Sequence, residues 1–166
     1  MSAAIKSALL LAMMVGGEGS VFAGALEGMV VSVADGDTLT ILVDRREVKV
    51  RVAGIDAPEK KQAFGQRSKQ AMSKCAYGKA SQVEWDKTDR YGRTVGKVTV
   101  DGVDCGQRQI ELGLAWHYKA YAKEQTPKDR EAYGRAEEGA KADRLGLWTD
   151  SNPMPPWEYR HGRAKP

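Results

Sequence analysis

The sequence predicts an α+β fold, mainly a small closed β barrel with about three helices, on three observations. Apolar residues alternate with polar ones from Met29 to Ala53, two further alternating runs follow a polar stretch, and helical patterning is confined to that stretch and to the chain after the fifth run. A length of 166 residues with 42% hydrophobic content suits one domain with a single core.

The first strand is read from Met29, Val31 and Val33, and the second from Leu39, Ile41 and Val43. In the third, Val48, Val50 and Val52 interleave with Glu47, Lys49 and Arg51. Asp44 to Arg46 is short enough for a hairpin loop, so these three strands form an antiparallel meander. Lys60 to Ser73 is polar and turns helical toward its end, where Ala71 and Met72 offer apolar contacts. The fourth strand is Gln82 to Asp86, with Val83 and Trp85 on one side, and the fifth is Thr94 to Val100, closed by the Asp101-Gly102 turn. Gln107 to Leu112 reads as a short helix ending near Gly113, and Lys128 to Leu145 as a longer one ending near Gly146. Five short strands with a helix between the third and fourth match a Greek-key barrel of the OB type.

Both ends are set apart from this domain. Lys6, the apolar run Ala8 to Val15 and the small residues Val21 and Ala23 read as a signal peptide over residues 1–23, too short for a membrane span of about 20 apolar residues. The chain is therefore expected to be exported, periplasmic or secreted, with no other membrane attachment. Residues 24–150 form the barrel domain, and residues 151–166, with four prolines, are expected to be a flexible tail.

Composition narrows the chemistry. Two His and two Cys cannot build His-rich or C-x-x-C zinc sites, so carboxylates and arginines must carry any catalysis. A net charge of +4 favours a polyanionic partner. In an oxidising compartment Cys75 and Cys105 are expected to pair, contributing roughly 3 to 4 kcal/mol through loop closure; the alternative is two buried free thiols. Gly92 to Val98 lacks P-loop spacing, and no nucleophile-elbow serine motif is present.

Three segments concentrate charge where strands end. Asp35-Gly36-Asp37-Thr38 by itself fits a tight turn. Arg51 to Glu59 leaves the third strand as R-x-x-x-I-D-x-P-E, and Asp89-Arg90-Tyr91-Gly92-Arg93 sits between the fourth and fifth strands; singly these fit a solvated strand end and a polar hairpin. With Gly113-Leu-Ala115 and Gly146-Leu-Trp148 following in order, the set resembles the staphylococcal nuclease family over about Leu26 to Trp148.

That resemblance implies hydrolysis of phosphodiester bonds in DNA and RNA with little sequence demand, leaving 3′-phosphate ends. It implies one calcium ion held by Asp37, Asp56 and the Ala57 carbonyl, Glu59 acting on the attacking water, and Arg51 and Arg93 clamping the phosphate. Such chemistry suits these residue types, because a hard cation takes oxygen ligands and guanidiniums offer paired donors to phosphate. Asp35 flanks the ion site in the motif. Tyr91, Tyr121 and Lys119 fall at or beside nucleotide-contacting positions, with Lys119 where the family's type member has a tyrosine. Ala57 stands where threonine is common, the segment from Lys60 is shorter than the type member's loop, and the cysteine pair is absent from that member. The expected protein is a monomer. The alternative is a noncatalytic OB-fold nucleic-acid-binding module, which needs basic and aromatic surface but no convergent carboxylates.

Overall fold

A computed structural model describes residues 24–163; the expected signal peptide over 1–23 lies outside the described residues. The barrel wall is built from β1 (Gly24–Val33), β2 (Thr38–Val43), β3 (Arg46–Val52), β5 (Ala80–Thr88) and β6 (Thr94–Val100), with short strands β4 (Ile55–Asp56), β7 (Val103–Asp104) and β8 (Trp116–His117) at its ends. β1 pairs antiparallel with both β2 and β5, β2 with β3, and β5 with β6. Parallel pairing of Val50 to Val52 with Thr94 to Gly96 joins β3 to β6 and closes the five-stranded mixed barrel. This is the OB-like α+β architecture read from the sequence.

The alternation fills the interior. Leu39, Ile41, Val50, Val52, Val83 and Val98 are fully buried. The phase read for β1 needs correction, since Val30 is buried and Met29 is exposed. The register of β1 on β2 slips between Val30 and Ser32, so an irregularity brings Val30 and Val33 to the same face. At the β2–β3 hairpin Asp44 and Arg45 both take positive φ, the two-residue turn that matches strand twist.

Among the described residues four α-helices surround the barrel: α1 (Gly65–Ala76), α2 (Cys105–Glu111), α3 (Pro127–Ala142) and α4 (Pro156–Arg163). Asp104 caps α2, accepting from the amides of Gly106 and Gln107, and Thr126 caps α3 ahead of Pro127. Cys75 on α1 and Cys105 on α2 form the expected disulfide, with Cα atoms 6.0 Å apart. The two G-L motifs meet: Gly113 and Gly146 have positive φ, the Leu147 N–H donates to the Gly113 carbonyl at 2.7 Å, and a Cβ on either glycine would strike the backbone of the other segment.

Within the proline-rich tail, α4 is a helix where extended chain is expected. Its prolines explain why: Pro155 precedes it and Pro156 occupies its first position, where a missing N–H breaks no helical bond. None of the described helices is long and apolar enough to cross a membrane.

Candidate active site

The turn from Asp35 to Thr38 is tied down from every side. Ala34 N–H donates to the Thr38 carbonyl at 2.8 Å, and the Asp35 carboxylate accepts from the Asp37 amide at 3.1 Å. Asp37 Oδ1 accepts from the Thr38 hydroxyl at 3.0 Å, and Oδ2 from the Ala57 amide at 2.7 Å. A Cβ on Gly36 would fall on Ser68 Oγ, so only glycine lets α1 approach this closely. The site sequence reading missed here is Gln109: its buried amide donates to the Gly36 carbonyl and to Ser68, pinning the turn to α1 and α2.

Arg51 projects from β3 into the gap between two acids. Its Nη1 lies 3.2 Å from Asp37 Oδ2 and its Nη2 lies 3.0 Å from Asp56 Oδ1, so one guanidinium spans both carboxylates. Nη1 also donates to the Val52 carbonyl at 3.0 Å, fixing the fork on its own strand. Asp56 is 1% exposed. Pairing of β4 with β8, Asp56 opposite Trp116, carries this acid off the end of β3 and inward.

The third segment forms the facing wall. Asp89 accepts from the amides of Tyr91 and Arg93 and takes the Arg93 Nε–H at 2.7 Å, which orients the guanidinium from the β5–β6 loop. Arg93 and Arg90 both lie against the Tyr91 ring, 5.4 and 4.9 Å from its centroid. Asp35, Asp37, Arg51, Asp56, Ala57, Glu59, Tyr91, Arg93 and Tyr121 thus line one open cleft of about 630 Å³. Lys119 does not line it: its ammonium pairs with Glu137 at 2.9 Å, drawn away by a buried carboxylate. Trp116 packs edge-on against Trp148, and His117 is buried against Gln125.

Arg160 on α4 also enters the cleft, a residue no motif signalled because it lies in the tail. Its Nη2 is 2.8 Å from Asp56 Oδ2 and its Nη1 is 3.0 Å from Glu59 Oε1. The linked cluster therefore holds four carboxylates, Asp35, Asp37, Asp56 and Glu59, against two guanidiniums, Arg51 and Arg160. Burial, then the adjacent Asp37 charge, pushes Asp35 up to about 6. Burial also raises Asp56, with Arg160 and Arg51 pulling against it. An excess of carboxylates over guanidiniums in this cluster, with Asp37 and Asp56 buried, offers hard oxygen donors that fit a divalent cation such as calcium. Among the described residues no three His, Cys, Asp or Glu side chains form a ready-made metal group, so main-chain and water oxygens would have to complete the shell around Asp37 and Asp56.

The family model described as staphylococcal nuclease homologue matches residues 49–150. The chain belongs to the staphylococcal nuclease family. Membership places it among the phosphodiester hydrolases. Over 142 residues it is 41% identical to a protein of Shigella flexneri named micrococcal nuclease, covering 80% of this chain and 79% of that one. It is 38% identical over 145 residues to Protein ParB of Escherichia coli, covering 81% and 79%. A Haemophilus influenzae protein named as an endonuclease is 41% identical over 132 residues, covering 79% and 71%. The nuclease-family match begins at Lys49, so Arg51, Asp56, Ala57, Glu59 and Arg93 all fall inside it, whereas Asp35 and Asp37 precede it.

Proposed function

We propose that this protein is an exported, monomeric, calcium-dependent nuclease that hydrolyses DNA and RNA with little sequence demand and leaves 3′-phosphate ends. The observation that carries the reading is the Arg51 fork spanning Asp37 and Asp56 at the wall of a cleft that Glu59 and Arg93 also line. Calcium bound there by Asp37, Asp56 and the Ala57 carbonyl would supply charge neutralisation at the phosphate.

Glu59, which lines the cleft and is partly exposed, takes the proton of the water that attacks phosphorus. Arg51 and Arg93 donate to the phosphate oxygens, and Arg93, whose guanidinium Asp89 orients, would stabilise the leaving 5′ oxygen. Cleavage of the phosphorus to 5′-oxygen bond then leaves the phosphate on the 3′ side. Tyr91 and Tyr121, both exposed in the cleft, offer faces on which bases of any kind can stack. The apolar run at 8–15 and the Cys75–Cys105 bond together support export to an oxidising compartment.

A noncatalytic binding module fits less well, because four convergent carboxylates would repel phosphate in a surface built only for binding. Digestion of labelled single- and double-stranded DNA and RNA by the purified protein, with calcium and with chelator, tests the reading. Cleavage of both nucleic acids is expected only with calcium. Binding without cleavage in every condition would favour the module instead.

A further inference from the structure

Asp56 carries two guanidiniums, and they are held very differently. Arg51 is part of the barrel wall, its side chain 15% exposed. Arg160 is 44% exposed and rides on α4, the last described helix. It covers both carboxylate oxygens, Nη2 on Oδ2 at 2.8 Å and Nη1 on Oδ1 at 3.2 Å, and reaches Glu59 with the same Nη1.

α4 rests on the barrel through an aromatic contact. The Trp157 ring stacks on Tyr118 at 5.5 Å with 13° between planes and meets Trp116 edge-on at 5.5 Å. Just upstream, Gln62 Nε2 donates to the Met154 carbonyl at 2.6 Å. Tyr118 is itself a wall of the cleft. The tail thus sets a cation on the acids and an aromatic ring against the cleft wall.

We propose that α4 is a displaceable cap in which Arg160, while it also pairs with Glu59, occupies the Asp56 carboxylate that would hold a divalent cation, so that cation uptake and release of the tail are linked. The inference rests on the calcium reading above. A calcium ion sits 2.3–2.6 Å from a carboxylate oxygen. At Asp56 that places it about 4 Å from the guanidinium already there, where like charges in a partly buried site repel strongly. Arg160 is the one that yields, because Arg51 is 15% exposed and bonded to the Val52 carbonyl of its own strand, whereas Arg160 is 44% exposed on the last described helix. Linkage is reciprocal: calcium loosens α4, and loss of the cap strengthens calcium binding.

The test is calorimetric titration of calcium chloride into the parent protein, Arg160→Ala and Trp157→Ala, with hydrogen exchange of residues 156–163 at zero and saturating calcium. Arg160→Ala is expected to bind calcium roughly tenfold more tightly. Trp157→Ala, which keeps the arginine but loosens its helix, is expected to shift affinity the same way. Exchange in α4 of the parent is expected to accelerate when calcium saturates. Unchanged affinity in Arg160→Ala, or α4 exchange indifferent to saturating calcium, would overturn the cap and leave the calcium reading standing. Absence of calcium binding in all three proteins would overturn both.

Discussion

Gln109 donates its side-chain N–H to the Gly36 carbonyl at 2.7 Å, across 73 positions of sequence, and so couples α2 to the loop that presents Asp35 and Asp37. The bond is buried, and the same amide nitrogen reaches Ser68 on α1. Gln109→Leu leaves the Gly36 and Ser68 acceptors without this donor, which costs about 1–3 kcal/mol per buried group. Denaturant unfolding should show that loss, and turnover should fall as Asp37 loses its fixed position.

Glu59→Gln and Arg93→Ala should each lower turnover by roughly 10²- to 10⁴-fold while the fold and most nucleic-acid affinity persist. Steady-state kinetics beside circular dichroism and a binding titration separate these effects. A near-normal rate in either variant removes that residue's assigned role.

Asp89 acts on Arg93 and not on substrate, through a 2.7 Å bond to Nε and two backbone amides. Asp89→Ala should therefore reduce kcat by roughly tenfold, less than Arg93→Ala, with little change in KM. In the Arg93→Ala background the second substitution should add almost nothing. Additive losses in the double variant would separate the two residues.

The Cys75–Cys105 bond closes a loop of sequence separation 30 between α1 and α2. Replacing both with serine should reduce unfolding free energy by roughly 3 to 4 kcal/mol. A reducing agent should bring the parent protein to the same level, as read from paired denaturation curves.

Glu137 is buried yet ionised, accepting from the His117 amide, Lys119 and Lys141. Burial opposes its charge, but the two lysine hydrogen bonds outweigh burial and hold its pKa below the ordinary 4.5. Its stabilisation is therefore complete above pH 4.5 and is lost as pH falls through the folded-state value. Glu137→Gln should lower stability at pH 7 by about 1–3 kcal/mol and remove that part of the acid-side loss. A thermal-denaturation series across pH 3–7 checks both.

Much of the barrel could be read from the chain alone because its strands are two-faced. Val50 and Val52 alternate with Lys49 and Arg51, and that period is a local property that survives whatever the partner strand is. Arg51, Asp56 and Glu59 were legible only through the resemblance that the ordered motifs carry, because their segment by itself fits a solvated strand end. The inward turn of Val30 was not, since the slip on β2 depends on how two strands meet.

Which side chains carry charge, and which strands and turns present them, follows from the chain alone, because alternation and turn chemistry act over a few residues. That Gln109 holds the Asp37 turn, that Lys119 turns to Glu137 and that Arg160 covers Asp56 depends on packing. These pairings span 18 to 104 positions. They exist only once helices and tail have packed on the barrel, and the desolvation that makes such contacts strong has no local signature in the chain.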